Sequence, residues 1–521
     1  MRHLRLYCQE IGIKTGDPGG SHSNSPTLLA WRYSLDPYCQ CRPFGRLIDH
    51  LETRVETTTV IVVTLLTYKL LLIAIGLWAS RRTQSDTGFF LGDRQLGPWV
   101  AAISYSASAC SAWTLLGLSG AAFVLGISVL WLILGALLGM VAAWMVLAKP
   151  VQLASKVNNL LTLTDFLTLD VEGAARWRLT QSVAFVILFC FIFYIAAQFQ
   201  GAGTAFASVF DLAATNAILI GAAIVLVYTW LGGFWAVSVT DTIQGLVMVL
   251  AAVILPLATL QVVGGPEALW AGLAQVSTPE QMSLTGNAPW LTAAGIVAGG
   301  LATGLSTFGQ PHLLVRFMAL RDDKARLQAT IITSVWYVLV WFGMAILGLM
   351  GRLLMPEIAD PEQIFFALAE DVLPPVMAGI LMAAVISAIM STADSQLLVS
   401  ASVLAHDLGL SKRLPAYRVL IGRAAVAAVV IAASLIALYL PSQIFNRVLF
   451  AWVALGAAFG PMVIVRVLHW KIAENHWIIG LWLGFGSAVL LSLLPSAPGD
   501  VVERMLPFVL HLGFLTLVRK R

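Results

Sequence analysis

Residues Met382–Asp407 read MAAVISAIMSTADSQLLVSASVLAHD. The stretch is apolar enough for a bilayer, yet it carries Ser387, Ser391, Thr392, Asp394, Ser395, Ser400 and Ser402. At helical spacing Ala388, Ser391, Thr392 and Ser395 share one face, with Asp394 at its edge. A carboxylate at membrane depth is expensive, so it faces protein or water and marks an ion or substrate path. Small hydroxyl residues also let helices pack closely, and for one Ser that explanation suffices. A face of clustered oxygens beside an acid points instead to a hard-cation site, because small alkali ions take oxygen ligands.

The rest of the chain has the same apolar character. Of 521 residues 59% are hydrophobic and 11% charged, and apolar runs of about 20 residues recur along the sequence. This composition belongs to an all-α polytopic membrane protein, since a β-barrel would show short alternating segments. The five cysteines, Cys8, Cys39, Cys41, Cys110 and Cys190, form no CxxC pair and give neither a disulfide framework nor a metal site. No GK dipeptide and no HExxH occur, which removes the P-loop pump and the metalloprotease. With no nucleophile–base motif either, an enzyme is not expected, nor are an organic cofactor or a nucleic-acid partner. The partners expected are a lipid bilayer, a small organic solute and an ion whose gradient supplies the energy.

Thirteen spans are expected, at 58–79, 98–124, 126–148, 180–209, 214–231, 235–262, 290–316, 328–354, 370–405, 416–439, 442–467, 475–495 and 502–518. If the first runs outside to inside, twenty Lys and Arg fall in inner loops, Arg316 among them, and beyond residues 1–54, which would add seven, only Arg352, Arg447 and Arg504 stay outside. That is a strong positive-inside bias, with the N-terminus out and the C-terminus in. Residues 1–54 are polar and rich in Gly, Ser and Pro, with no apolar core for a signal peptide. They read as a disordered extension or as a mis-assigned start, translation beginning at Val55; the membrane domain is 55–521.

Two spans carry interruption signals. The second contains SYSASACSA, residues 104–112, small and hydroxyl residues in mid-membrane. Such a segment either unwinds, freeing backbone carbonyls for an ion and N–H groups for a solute, or forms a close-packed helix. The seventh, GIVAGGLATGLSTFGQPHLLVRF, is punctuated by glycines and runs into Gln310-Pro311. The two lie five spans apart, the spacing of an inverted repeat with a midplane site, giving core repeats at about 98–262 and 290–467. Between spans five and six, Gly232-Gly233 marks a tight turn. Asp241 then enters an apolar run, either on an ion path or simply capping a helix or pairing with a cytoplasmic Arg. The loop 263–289 lacks Lys and Arg and holds a short surface helix near Pro266–Val276.

Four segments, in order, resemble the sodium/solute symporter family and within it the sodium/proline symporter branch. They are FFLGDRQLGPW (89–99), LGGFWAVSVTDTIQ (231–244), FGQPHLLVRFMA (308–319) and STADSQLLVSAS (391–402). The resemblance, spanning about 58 to 515, implies a leucine-transporter-like 5+5 inverted-repeat core that imports a solute with sodium by alternating access. It implies a main sodium site at the carbonyls of Ala107, Cys110 and Ala388 and the hydroxyls of Ser391 and Thr392. A second ion site, present in some members, would use Asp241 with Ser391, Asp394 and Ser395. Solute contacts would come from Ser111, Ala112, Trp113, Tyr194, Thr303, Thr307 and Pro311, and Arg94 would stand at the cytoplasmic entry. The chain departs from the branch at Ala109, where an acid is usual, at Ala112, where Gly is usual, at Asp394, where a hydroxyl is usual, and at Thr303 and Thr307, where aromatics are usual. These departures leave a proton-coupled symporter as one alternative. A transporter-like solute sensor is the other, disfavoured because no kinase or receiver domain follows the last span.

Overall fold

The computed structural model describes residues 86–210, 212–229, 234–410, 417–440, 442–495 and 497–520, with parts of 59–78. The extension 1–54, the alternative start at Val55 and the turn at Gly232-Gly233 lie outside the described residues. Among those described, nine helices are long and apolar enough to cross a membrane, and the shorter apolar helices Val62–Ile75 and Ala214–Val227 accompany them.

The second expected span is broken into α1 (Pro98–Ala109) and α2 (Leu118–Leu125), the latter preceded by a π-turn at Trp113–Gly117. Next come α3 (Leu130–Ala142), the helix Ala148–Val157, the short α4 (Leu163–Leu167), α5 (Gly173–Phe210), α6 (Ala214–Thr229) and α7 (Phe234–Val263). A surface helix, Pro266–Val276, precedes the second half. That half also opens on a broken span, α8 (Trp290–Ala302) and α9 (Pro311–Met318), joined through a 3-10 turn at Leu305–Gly309. It continues through α10 (Asp323–Leu354), α11 (Pro375–Ser402), α12 (Arg418–Tyr439) and α13 (Ile444–Val467), with α14 (Glu474–Ser492) and α15 (Val501–Leu517) beyond. The expected span 370–405 is divided, because Pro374-Pro375 stops the helix Ile364–Val372 and restarts the chain as α11.

Local chemistry explains the helix starts. Proline, preset for the first turn, opens α1, α9 and α11. Asp322 caps α10 by accepting from the Ala325 N–H at 2.7 Å. Thr162 and Asp165 form a reciprocal capping box on α4. The N–H groups of Ile444 and Phe445, which open α13 without intrahelical acceptors, are taken at 3.0 and 2.9 Å by the Glu362 carboxylate from the 3-10 turn Pro361–Gln363, between α10 and α11. Burial pushes the Glu362 carboxyl above its ordinary value, while those two N–H bonds pull it back.

The core lies where α1 packs against α7, α10 and α11. The outer helix faces are apolar and open, as at Leu138 and Trp290, 60% and 81% exposed, which suits lipid contact. On the basic face the entries to the two broken spans are tied by backbone. Leu96 N–H donates to Ala319 O and Arg321 N–H to Leu96 O, both at 3.1 Å. Arg94 strengthens this closure by donating to the Ser155 and Leu160 carbonyls at 3.2 and 3.1 Å.

Candidate functional site

The segment 104–112 breaks at Cys110–Ser111. Helix α1 stops at Ala109, Cys110 leaves helical geometry at φ −100°, ψ 87°, and the next regular turn begins at Trp113. A helix end leaves its last carbonyls without intrahelical donors. Here side chains of α11 supply them: Ser391 Oγ donates to Ala107 O at 3.0 Å, and Thr392 Oγ1 to Ser108 O at 3.1 Å. Ser391 Oγ also lies 3.2 Å from Ala388 O. Ala107, Ala388, Ser391 and Thr392 are fully buried, so four expected oxygen ligands converge in one buried cluster of neutral groups. The Cys110 thiol accepts from Trp341 Nε1 at 3.2 Å.

Asp241 sits one layer away in a second polar knot. Its Oδ2 accepts from Ser104 at 2.9 Å, Ser108 at 3.2 Å and Arg316 Nη2 at 2.9 Å, and its Oδ1 is buried with no hydrogen-bond partner among the described residues. Arg316 is not a loop charge, as the span count had it. It is 1% exposed, because the break at Gln310 starts α9 inside the protein and carries Arg316 inward. The same Nη2 donates to Ser395 Oγ at 2.6 Å and Ser108 Oγ at 2.8 Å, and Nη1 donates to His312 O. A guanidinium therefore already touches Asp241 and Ser395, two of the groups expected to hold a second ion. Asp394 is bonded elsewhere: it accepts from Thr229 Oγ1, at the end of α6, at 2.5 Å.

Beyond the break a small cavity is lined by Ala109, Trp113, Tyr194, Thr303 and Thr307, with Tyr337, Trp341 and Trp452 completing an aromatic wall. At about 20 Å3 it has room for about one water, so it must widen to admit a solute. Ser111, Ala112 and Pro311 are buried but do not line it. Ser111 Oγ accepts the Trp113 N–H at 3.1 Å, and Gln198 Oε1 accepts the Ala112 N–H at 3.2 Å, which holds the unwound segment. The sequence reading missed Gln198, Arg316, Tyr337, Trp341 and Trp452. The aromatics look like ordinary helix-packing residues, whereas Gln198, one of two amides with Gln200 in an apolar run, was a legible signal.

The sodium:solute symporter family model matches residues 89–484. The chain is 33% identical over 485 residues to the sodium/proline symporter of Escherichia coli, covering 86% of this chain and 95% of that protein. It is 31% identical over 463 residues to the osmoregulated proline transporter of Bacillus subtilis, covering 85% and 92%. Among solved structures, the substrate-bound outward-open state of a sodium-coupled sialic acid symporter superposes with a TM-score of 0.72 at 17% identity, covering 88% of this chain and 99% of that one. A nucleobase-cation-symport-1 family transporter in a closed conformation does so at 0.53 and 16%, covering 82% and 94%. These likenesses show a leucine-transporter-like fold.

Proposed function

The chain belongs to the sodium:solute symporter family, and from that premise we propose how it couples sodium to an amino acid, proline being the solute its relatives are named for. It is a sodium-coupled secondary importer, a multi-pass protein of the bacterial plasma membrane, and a transporter rather than an enzyme.

The coupling sodium binds between α1 and α11, at the carbonyls of Ala107 and Ala388 and the hydroxyls of Ser391 and Thr392, with the Cys110 carbonyl joining on occupancy. The observation that carries this is the convergence of both hydroxyls on carbonyls left free by the break in α1. Released carbonyls at the negative end of a half-helix suit a monovalent cation. Sodium there replaces the hydroxyl-to-carbonyl bonds and clamps the break to α11. The neighbouring segment Ser111–Trp113 is then fixed for the solute, and by linkage the solute tightens sodium equally. Trp113, Tyr194, Thr303 and Thr307 enclose the solute; Ser111, Ala112 and Pro311 shape the backbone behind it. The basic face is cytoplasmic, with Arg94 closing it.

One sodium moves per solute, because Arg316 already supplies the cation between Asp241 and Ser395. A second sodium there requires Arg316 to leave, and Asp394, bonded to Thr229, takes no part.

The test is Ser391→Ala with Thr392→Ala in reconstituted vesicles. Removing two ligands raises the sodium concentration for half-maximal uptake by about tenfold or more. Unchanged sodium dependence would remove the ion from that face.

A further inference from the structure

At the basic end of α11 a π-turn at Val403–Asp407 lies against α4, beside a small cavity that Arg316 and Ser395 of the second knot also line. Asp165, His406 and Asp407 each bring one ligand atom to within 4.8 Å of the others. His406 Nε2 stands 3.3 Å from Asp165 Oδ2. That oxygen also accepts the Leu161 and Thr162 N–H groups, so among the described residues the side-chain hydrogen bonds of Asp165 fall on Oδ2. Asp407 Oδ1 accepts from Thr162 Oγ1 at 2.9 Å. Asp407 Oδ2 and Thr164 Oγ1 are buried beside each other and, apart from one another, have no hydrogen-bond partner among the described residues. Thr164 is 2% exposed, and both residues line the same small cavity.

A capping box accounts for Asp165, and an ion pair with His406 accounts for the 3.3 Å contact. Neither accounts for the buried Asp407 Oδ2 and Thr164 Oγ1 facing the cavity with only each other as partner, since buried polar atoms with spare lone pairs are normally satisfied by further protein groups, water or an ion. From Asp165, His406 and Asp407 we infer a binding site for a zinc-class divalent cation at the basic end of α11. One imidazole nitrogen with two carboxylates is a donor set of zinc and its first-row neighbours, whereas alkali ions prefer oxygen alone. Zinc bonds of about 2.0 Å at tetrahedral angles set ligand atoms about 3.3 Å apart, the spacing His406 and Asp165 already have. Thr164 or a water completes the fourth position. The ion would pin the end of α11 to α4, and α11 carries Ala388, Ser391 and Thr392. Occupancy from the basic face therefore slows the transport cycle.

The probe is cobalt, titrated into the purified full chain and followed by its visible absorption, with zinc as competitor. The wild type should hold one equivalent more than His406→Ala or Asp407→Asn. Each variant should bind that equivalent about tenfold more weakly or worse, with melting temperatures in chelator unchanged. Ions held by other histidines and cysteines contribute equally to all three proteins and cancel. Equal cobalt binding by wild type and Asp407→Asn overturns the site, even if His406→Ala fails to fold. In vesicles, zinc on the basic face should slow wild-type uptake and spare both variants; equal inhibition of all three removes the clamp.

Discussion

Arg316 and Asp241 are both fully desolvated, with side chains 2% and 0% exposed. Removing charges from water costs several kcal/mol each, which only close pairing offsets, so deleting one partner leaves the other uncompensated. Asp241→Asn is therefore expected to lower stability by about 3–5 kcal/mol, while Asp241→Asn with Arg316→Met recovers most of it. Thermal unfolding in detergent checks both; an unaffected single variant would mean that the pair is not held apart from water. Half of this pair was legible. Asp241 stands out as an acid in an apolar run, and pairing with an arginine was one reading of it. Its partner was hidden, because Arg316 closes an apolar run where loop charges ordinarily begin. Only the restart of the helix at Pro311 carries it inside. Ser391 and Thr392 were readable from spacing alone, because α11 is unbroken there and helical periodicity holds.

For the elements, the breaks in the second and seventh spans depend on close backbone contact. A Cβ on Gly304 would stand 2.1 Å from Gly135 O, and one on Gly139 would stand 2.2 Å from Gly304 O. The turn after α8 is thus seated directly against α3, and Thr303 and Thr307 are positioned by that seating. Gly304→Ala must push the two backbones apart, at a cost of about 1–3 kcal/mol. Gly513→Ala on α15 meets nothing within 4 Å and should be neutral or stabilising by up to about 1 kcal/mol. Comparing the two melting temperatures tests the contact; equal shifts would contradict it. The glycines of the seventh span announced an interruption, but their partners on α3 looked like any glycines in an apolar helix. In the second span the small residues fitted both an unwound segment and a close-packed helix. The contacts that decide between them come from Gln198, Ser391 and Thr392, far away in sequence.

For the whole molecule, membrane class and order of elements were plain in the sequence, because hydropathy and length leave few alternatives for an apolar chain of this size. The five-span interval between the interrupted helices is the spacing expected of two inverted repeats. The aromatic wall was not legible, because Tyr337, Trp341 and Trp452 come from helices whose meeting depends on the packed fold. The central claim concerns the molecule as an energy converter: one sodium, bound where α1 ends on α11, drives one solute across. The most direct measurement is radiolabelled proline uptake into vesicles containing the purified chain, under imposed sodium or proton gradients, with the sodium flux counted alongside. The account predicts accumulation only under an inward sodium gradient, a sodium dependence with a Hill coefficient of about 1, and equal sodium and proline fluxes. Uptake that follows the pH gradient and ignores sodium, or a steeper dependence with two sodium ions per proline, would contradict it.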